Sequence, residues 1–536
     1  MKRLTTFIVN ENSIAGFVLA LVCLAILLAG IVTIAVFDGD PTIYLAYAKN
    51  IAHGDFFSFN PGEFSSGSTS PLWAMVLSLA FLLPSSVTLS KIIGLAVTLL
   101  ALFATYRMSL VVSKSKIGSA IGVCLMLYFL AHSGLAGYES SLAVCLVSAA
   151  IILTHEIIHR SSSSIGRHVV GLALIWSAIP LVRPDAFAVV AANLLILAFV
   201  FIKDKRSVRL LVAAFLLSLL PSIVYFGYSY VTLGTFSTSA SGRAFMMAYG
   251  APTVLGISYS LAPIGLLLSF PLFLWIGLAL WGWEKIRRHE AQQWFACFSA
   301  ILLVGYLLLF SVVLPVGKVN SVFSLFSLND PSSLVSRYLL PAITFVVPLA
   351  SIGVAELWKA LRVRKYVVFS LALSAVLVLW PLTWVTEQAV SSYIHLSTFN
   401  EITEKAIVEH INAIAEANAT VLMNEVQDRY YLRPDLKVLS QDGITDGKIA
   451  PYLASGDVSS FLLKYRPGYW LANNVQFGNS FFSRSILRQV VDQIGETEGA
   501  SIQIDGITFT NIRKNEVLSG ARYTQLYRLT YTGSSP

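Results

Sequence analysis

The chain has 536 residues, of which 56% are hydrophobic and only 12% charged, and its mean hydropathy is +0.72. A soluble globular chain carries about 25% charged residues, so most of this one belongs in lipid. The net charge of +8 resides largely in short loops between apolar runs and gives no support to nucleic-acid binding, while Cys23, Cys124, Cys145 and Cys297 all fall in apolar segments and indicate no disulfide framework.

Lys2 and Arg3 precede the first apolar run, and no small-residue cleavage pattern follows it. That run reads as a retained span. A helix needs about 20 apolar residues to cross a bilayer. On that length the chain is expected to cross eleven times, at 14–37, 88–112, 117–133, 139–157, 168–183, 185–202, 208–230, 253–281, 293–315, 336–356 and 366–386. The apolar segment 71–84, bounded by Pro71 and Pro84, is too short to cross and is expected in the interface.

Charge bias tests this layout. Of the 24 Lys and Arg residues up to position 386, 18 lie in six clusters. All six fall on one side only if 71–84 does not cross, and that side is the cytoplasm. The other six are Lys49, Lys91, Arg183, Arg243, Lys318 and Arg337. With Asp38, Asp40, Asp55, Glu63, Glu139, Asp185 and Asp330 they sit on the outer side or at outer span ends. Lys91, Asp55 and Asp330 read as solvated loop charges. Glu139, Arg183, Asp185 and Arg337 abut apolar spans, and charges within a membrane mark polar cavities or pathways.

Beyond the last span the character changes. Residues 387–536 hold 16 acidic and 13 basic residues and no long apolar run. The expected organisation is a mostly α, polytopic transmembrane domain over 1–386 with an outer loop at 38–87, followed by an extracytoplasmic α/β domain over 387–536. "ATVLMNE", "KVLSQDG" and "GYWLANN" read as strands. "DGKIAPYLASG" and "SSFLLKY" read as helices, and "SIQIDGITFTNI" as a hairpin turning at Asp505-Gly506. Alternating strands and helices favour an α/β layer.

The stretch "DPTIYLAYAKNIAHGDFFSFNPGEFSSGSTSPLW", from Asp40 to Trp73, resembles the first outer loop of bacterial polytopic glycosyltransferases of the GT-C superfamily. It is most similar to the arabinofuranosyltransferase and mannosyltransferase-like branch. There the pattern runs Asp-Asp-Ala-Tyr-Ile, Arg-Tyr-Ala-x-Asn-Leu-Ala-x-Gly, Phe-Asn-Pro-Gly-Glu and Gly-x-Thr-Ser-Pro-Leu-Trp. "GLAGYESSL", "PLVRPDAF", "SRYLLP" and "YYLRPDLKVLSQDGITDGKIA" resemble four further segments in the same order, so the likeness covers nearly the whole chain. The chain departs in spreading the paired acids over Asp38-Gly39-Asp40, with Asp40 at the second Asp, and in carrying Ala46 in place of the Arg. "GTFSTSASGRAF" matches the Pro-Asn-Thr-x-x-x-Lys loop only loosely, with Arg243 in the Lys role.

The resemblance implies a GT-C fold and transfer of one sugar from a polyprenyl-phosphate donor to a glycan, lipid or protein acceptor at the outer face of the plasma (inner) membrane. The acceptor hydroxyl needs a general base, and a carboxylate serves. Asp40 is the first candidate, with Asp38 and Glu139 behind it. The leaving phosphate departs as an anion and needs cationic donors, for which Arg337, Arg183 and Arg243 are candidates. Asp185, Asn60, Glu63, Thr69, Trp73 and Tyr338 are candidates for substrate contacts. One carboxylate suffices for an inverting transfer, whereas retention requires a nucleophile as well.

Plainer readings stand beside these. Asp38 fits a helix-end carboxylate. Asp38 and Asp40 also fit a divalent-cation pair for magnesium, manganese or calcium, and no other cofactor is expected. Trp73 with Phe56, Phe57 and Phe59 fits an interfacial aromatic belt. Gly62, Gly67 and Pro71 fit loop shaping, and Arg183-Pro184-Asp185 fits an internal ion pair between two short spans. A lipid or glycan transporter or flippase is a rival function, although no internal repeat is visible and the charges avoid the midplane. A ligase-type transferase using a polyprenyl-diphosphate glycan is another.

Overall fold

The structure is a computed structural model. It describes residues 11–34, 40–65, 67–159, 165–202, 204–233, 272–288, 290–313, 334–361, 367–399 and, with breaks, 405–532, together with two short strands at 253–254 and 257–258. The chain divides into two compact units, Met1–Ala35 with Thr88–Tyr225 and Pro252–Ser391, and Val36–Val87 with Phe226–Ala251 and Ser392–Pro536.

The first unit is helical. Its helices are α1 (Glu11–Val32), α4 (Ser86–Ser113), α5 (Lys116–Ala136), α6 (Ser140–His159), α7 (Ile165–Val182), α8 (Phe187–Val200), α9 (Lys205–Ser218), α10 (Leu220–Leu233), α11 (Leu272–Ile286), α12 (Glu290–Val313), α13 (Leu334–Leu361) and α14 (Val367–Phe399), with α10 from Phe226 and α14 from Ser392 counted in the second unit. Every expected span holds a described helix. Among the described residues, six apolar stretches are long enough to cross a bilayer alone: Glu11–Val32, Ser86–Ser113, Ser140–His159, Ser207–Thr232, Leu339–Ala360 and Ala372–Ser391.

Three expected spans differ in detail. The span at 208–230 is two helices, α9 and α10, parted at Leu219. Pro221 has no amide hydrogen for the bond to the fourth residue before it. Within 253–281 the described helix is Leu272–Ile286, and 259–271 lie outside the described residues. The last helix continues to Phe399 instead of stopping near 386.

Small residues set the packing. α13 is the most enclosed of the long apolar helices. A Cβ added to Gly282 of α11 or Gly353 of α13 would strike the carbonyls of Leu349 and Leu278, at 1.9 and 2.1 Å. A Cβ on Gly118 of α5 would likewise strike the Ser351 carbonyl, and one on Gly122 the Ser351 hydroxyl. Between membrane helices, where lipid tails are as apolar as leucine, this close backbone approach is a main source of association.

The second unit holds α2 (Asp40–Ala52), strands β1 (Ser58–Asn60) and β2 (Glu63–Phe64), and α3 (Pro71–Ser78) running into a 3-10 turn at Leu79–Leu82. The apolar stretch Pro71–Leu82 is about 18 Å long at 1.5 Å per residue, too short for a bilayer of about 30 Å. Leu79, Leu82 and Leu83 are exposed, which fits the interfacial placement read from the sequence.

Farther along come α15 (Lys405–Ile414), β5 (Thr420–Met423), β6 (Lys437–Ser440), α16 (Val458–Tyr465), β7 (Tyr469–Asn473), α17 (Ile486–Ile494), β8 (Ser501–Ile504), β9 (Ile507–Glu516) and β10 (Tyr523–Tyr531). Six of these strands form one sheet in the order β6-β5-β7-β10-β9-β8. β5 pairs parallel with β6 and β7, and the other neighbours run antiparallel. The three strands and the hairpin expected from the sequence are present. Asp505 and Gly506, with φ of 51° and 76°, make the expected turn. "SSFLLKY" is the helix α16. "DGKIAPYLASG" lies partly outside the described residues, and within its described part Tyr452 and Ser455 are helical.

One face of the sheet packs against α16 and α17, around Phe461, Leu487, Val490, Trp470 and Phe509. The other face buries Val421, Met423, Val438 and Leu471 against Ile407 and Ile411 of α15 and against Ile43, Tyr47, Phe59 and Ala74. Those last four come from the 40–74 segment. That segment, read from sequence as a loop of the membrane domain, therefore supplies one wall of the tail's core.

Candidate active site

In the first unit, α5 ends at Gly137. Its φ of 92° is left-handed, and its amide and that of Tyr138 both donate to the Ser133 carbonyl, at 3.2 and 2.9 Å. Glycine adopts this backbone without steric cost. The turn delivers Glu139 to the head of α6, where its carbonyl accepts from the Ala143 amide at 3.1 Å. The Glu139 side chain is buried, with 2% of the residue exposed.

Arg183 reaches it from the end of α7. A residue before proline avoids the helical region, and Arg183 is extended at φ −147° and ψ 108°, followed by a 3-10 turn at Pro184–Ala186. Its guanidinium lies 3.4 Å from Glu139, Nη1 to Oε1. It also forks onto Asp185, Nε to Oδ1 at 3.1 Å and Nη2 to Oδ2 at 3.3 Å. Tyr306 of α12 donates its hydroxyl to the Asp185 carbonyl at 3.1 Å. One buried cation thus orients two carboxylates from two helix junctions, and a third helix pins the turn.

Lys91 is a correction. Read as a solvated loop charge, it is wholly buried on α4, and its ammonium donates to the Leu135 carbonyl in the last turn of α5. A cation there complements the negative end of the helix and fixes the strand of chain that leads, four residues on, to Glu139. Thr98 of α4 holds Ser141 of α6 at 2.8 Å beside it. Both Lys91 and Tyr306 were missed as site residues. Lys91 had a signal, since apolar residues flank it on both sides in "SVTLSKIIGLAVTLL". Tyr306 had none that separates it from other tyrosines in spans.

In the second unit, Asp40 is the first residue of α2 and Pro41 follows it. Proline is preorganised for the first helical position and an acid there suits the helix dipole, so the local sequence is a helix start. Asn60 is buried, and its amide exchanges two bonds with the Val438 backbone, at 2.9 and 2.8 Å. Glu63 pairs with Lys437 at 2.6 Å and Lys448 at 3.6 Å. Burial pushes the Glu63 carboxyl up, but these two lysines outweigh it and hold the group below its ordinary value. Burial, and then the charge of Arg429, lowers Lys49; burial brings Arg429 itself down to about 10.

Thr69 shares a bond with the Tyr44 hydroxyl at 2.9 Å, and Trp73 is fully buried. Gly62 has a φ of 74°, and a Cβ on Gly67 would lie 2.5 Å from the Thr445 Cα, so both glycines shape the segment. Asp38 and Arg243 lie outside the described residues, as do the side chains of Asp40, Arg337 and Tyr338. Arg337 and Tyr338 sit in the first turn of α13. The structure therefore brings Glu139, Arg183 and Asp185 together, and separately ties Asn60, Glu63 and Thr69 into the second unit. Among the described residues no group of three or more His, Cys, Asp or Glu side chains is placed to hold a metal.

No protein-family model matches the chain, and no curated protein matches it either. Solved structures do. ArnT from Cupriavidus metallidurans bound to undecaprenyl phosphate aligns over 97% of this chain and 99% of its own, with a TM-score of 0.55 and 12% identity. The same protein in the apo state gives 0.57 and 13%, over 95% and 98%. The Archaeoglobus fulgidus oligosaccharyltransferase, in complex with zinc and sulfate, gives 0.51 and 10%, over 86% of this chain and 69% of that one. At these identities the likeness is one of fold, and it agrees with the ordered motifs: the chain has the fold of the GT-C membrane glycosyltransferases.

Proposed function

We propose that this protein is a glycosyltransferase that moves a single sugar from a polyprenyl-phosphate carrier to a glycan, lipid or protein acceptor on the outer face of the membrane. The observation that carries this reading is the end-to-end likeness to an ArnT solved with undecaprenyl phosphate. The N-terminus is cytoplasmic and the tail, read from sequence as 387–536, is extracytoplasmic. In support, the start of α1 and the ends of α4, α6, α11 and α13 line one common cavity. That is the same-side placement the basic clusters demand.

In the transfer, Asp40 takes the proton from the acceptor hydroxyl as its oxygen attacks the anomeric carbon. The bond from that carbon to the carrier phosphate breaks, and polyprenyl phosphate leaves as an anion. Arg337 is the first candidate to meet the phosphate, and Arg243 is a further one. A cation that gains charge-assisted bonds as negative charge develops favours the transition state over the ground state. One carboxylate acts, so the anomeric centre inverts. Glu139 and Asp185, both bonded to Arg183, accept hydrogen bonds from donor hydroxyls, with Thr69 and Tyr338 as further contacts. Asn60, Glu63 and Trp73 belong to the scaffold. A divalent ion at Asp38 and Asp40 is compatible with this chemistry but is not needed for it.

The ligase-type rival differs by donor. The full chain, reconstituted in lipid, should release polyprenyl phosphate from a monophosphate-linked pentose or hexose when given an acceptor glycan. Transfer from polyprenyl-diphosphate glycans alone would replace the reading with the ligase one, and movement of intact lipid-linked sugar without bond cleavage would replace it with a flippase.

A further inference from the structure

A polar cavity lies in the first unit, at the end of the helices opposite Glu139 and Arg183. Its volume is about 660 Å³, within the range of small-molecule sites. Its wall includes Lys114, Lys285 and Lys359, His155 and His159, and the Trp358 indole. The two imidazoles stack with centroids 4.0 Å apart. The indole N–H is buried in the wall without a hydrogen-bond partner. Ser115, also in the wall, caps α5 by accepting from the Gly118 amide at 3.1 Å, so the positive end of a 21-residue helix faces the same space.

Among the described residues, two carboxylates line the cavity, Glu11 and Glu356. Glu356 is engaged by Lys359 at 2.7 Å and Lys285 at 4.0 Å. Orientation charge requires basic residues on this side, but not their convergence on one concavity with a histidine pair and an unused indole donor. Cationic pockets between helices at the cytoplasmic surface suit phosphate headgroups.

From this convergence we infer that the cavity binds a phosphate ester: the phosphate of an anionic phospholipid of the cytoplasmic leaflet, or of a soluble phosphate monoester. Lys114 and Lys359 contact the phosphate, the indole N–H of Trp358 donates to an oxygen of the headgroup, and α5 presents its N-terminal dipole. The volume exceeds what a bare phosphate fills, so the ester's glycerol- or sugar-sized body occupies the rest. The site is separate from the transfer chemistry and does not depend on the sugar or acceptor. Glu356 tunes it, because its carboxylate competes with the ligand for Lys285 and Lys359.

The test uses the full chain in nanodiscs of phosphatidylcholine alone or with phosphatidylglycerol, scored by native mass spectrometry of retained lipid. A parallel thermal-shift titration uses sn-glycerol 3-phosphate. Preferential retention of phosphatidylglycerol is expected, weakened about fivefold for each lysine removed and roughly 25-fold in the Lys114→Ala/Lys359→Ala variant. Glu356→Gln should instead tighten retention, an increase that a merely structural role does not produce. Stabilisation by glycerol phosphate without lipid selectivity, lost in the double variant, assigns the soluble source and sustains the site. If neither ligand is preferred, or if the double variant binds as the wild type does, the inference is overturned.

Discussion

Asn60 and Val438, 378 positions apart, exchange two hydrogen bonds between a side-chain amide and a backbone unit, at 2.9 and 2.8 Å. The amide imitates one more rung on β6, the edge strand of the six-stranded sheet, and covers an edge that is otherwise a template for unwanted pairing. Asn60→Ala leaves a buried amide hydrogen and a buried carbonyl without those partners. Each costs about 1–3 kcal/mol, so the second unit should lose roughly 2 kcal/mol or more. Limited proteolysis of the full chain should show new cutting in 392–536, with the helices of the first unit unaffected.

The same docking predicts the behaviour of the isolated tail. Without Ile43, Tyr47, Phe59 and Ala74, the face formed by Val421, Met423, Val438 and Leu471 is open to water. At about 25 cal/mol per Å² of apolar surface, an exposed face of that kind favours association. Residues 392–536 expressed alone should aggregate or bind a hydrophobic dye. Adding a fused 40–83 segment should restore a monomer, and a monomeric, dye-silent tail would refute the shared core.

Glu63 supplies a pH dependence. Its carboxyl is held below the ordinary value by Lys437 and Lys448, so the folded state favours the ionised form. That contribution is present above the usual carboxylate range and is lost as pH falls through the lowered value. The group is over a third exposed, and an exposed pair contributes at most about 1 kcal/mol. Glu63→Gln should lower thermal stability slightly at pH 7 and flatten its decline below about pH 4, as followed by scanning calorimetry at a series of pH values.

The helices of the first unit were legible in the sequence because bilayer thickness imposes a length on apolar runs and insertion biases the charges between them. Both are local properties, and each expected stretch holds a helix. The hairpin at Asp505-Gly506 was legible for the same reason, since a two-residue turn needs positive φ. By contrast, α2 and the pairing of Asn60 with Val438 depend on partners nearly 400 positions away. Lys91 was misplaced because position near a span end does not distinguish a solvated ammonium from one aimed at a helix carbonyl. β10 and α17 went unread although they alternate and repeat as a strand and a helix should. Of the candidate site, the pair of Arg183 with Asp185 was legible in Arg183-Pro184-Asp185, whereas the part of Glu139 was foreshadowed only by the place all three share at span ends. Their contact requires α5, α6 and α7 to converge, which no local pattern states.

That contact has its own consequence. Arg183 bonds to Glu139 and Asp185 in a site where 3% of the arginine is exposed. Breaking a buried pair by removing one partner costs about 3–5 kcal/mol, because the remaining charge stays buried. Arg183→Ala should therefore unfold at markedly lower temperature in detergent. Arg183→Lys should recover little, since a point charge cannot reproduce the fork onto Asp185. Tyr306→Phe removes one bond to the Asp185 carbonyl and should cost about 1 kcal/mol. Equal stability of the alanine and wild-type proteins would show that the carboxylates find solvent by another route.

On the roles proposed for them, Asp40 and Arg337 separate chemistry from binding. Asp40→Asn keeps the size of the side chain at the head of α2 and removes the proton acceptor. Loss of general-base help lowers turnover by about 10²–10⁴-fold, and donor affinity should persist because the anionic phosphate loses no partner. Arg337→Ala removes a charge-assisted contact, which weakens donor binding by roughly 1.5–3 kcal/mol. It should lower turnover further, since charge develops on the same phosphate as the sugar leaves. Lipid-donor affinity and sugar transfer are measured separately for both variants in the reconstituted chain. Near wild-type transfer by Asp40→Asn moves the base to Asp38 or Glu139. Those alternatives are then divided by Asp38→Asn and Glu139→Gln, of which only the second should also disturb Arg183 and so lower thermal stability. Normal donor binding by Arg337→Ala moves the phosphate contact to Arg243 or Arg183. The stability effect of Arg183→Ala again tells a positioning role from a direct one: a phosphate contact lowers affinity in the Lys variant by less than in the Ala variant, whereas a purely structural fork fails in both.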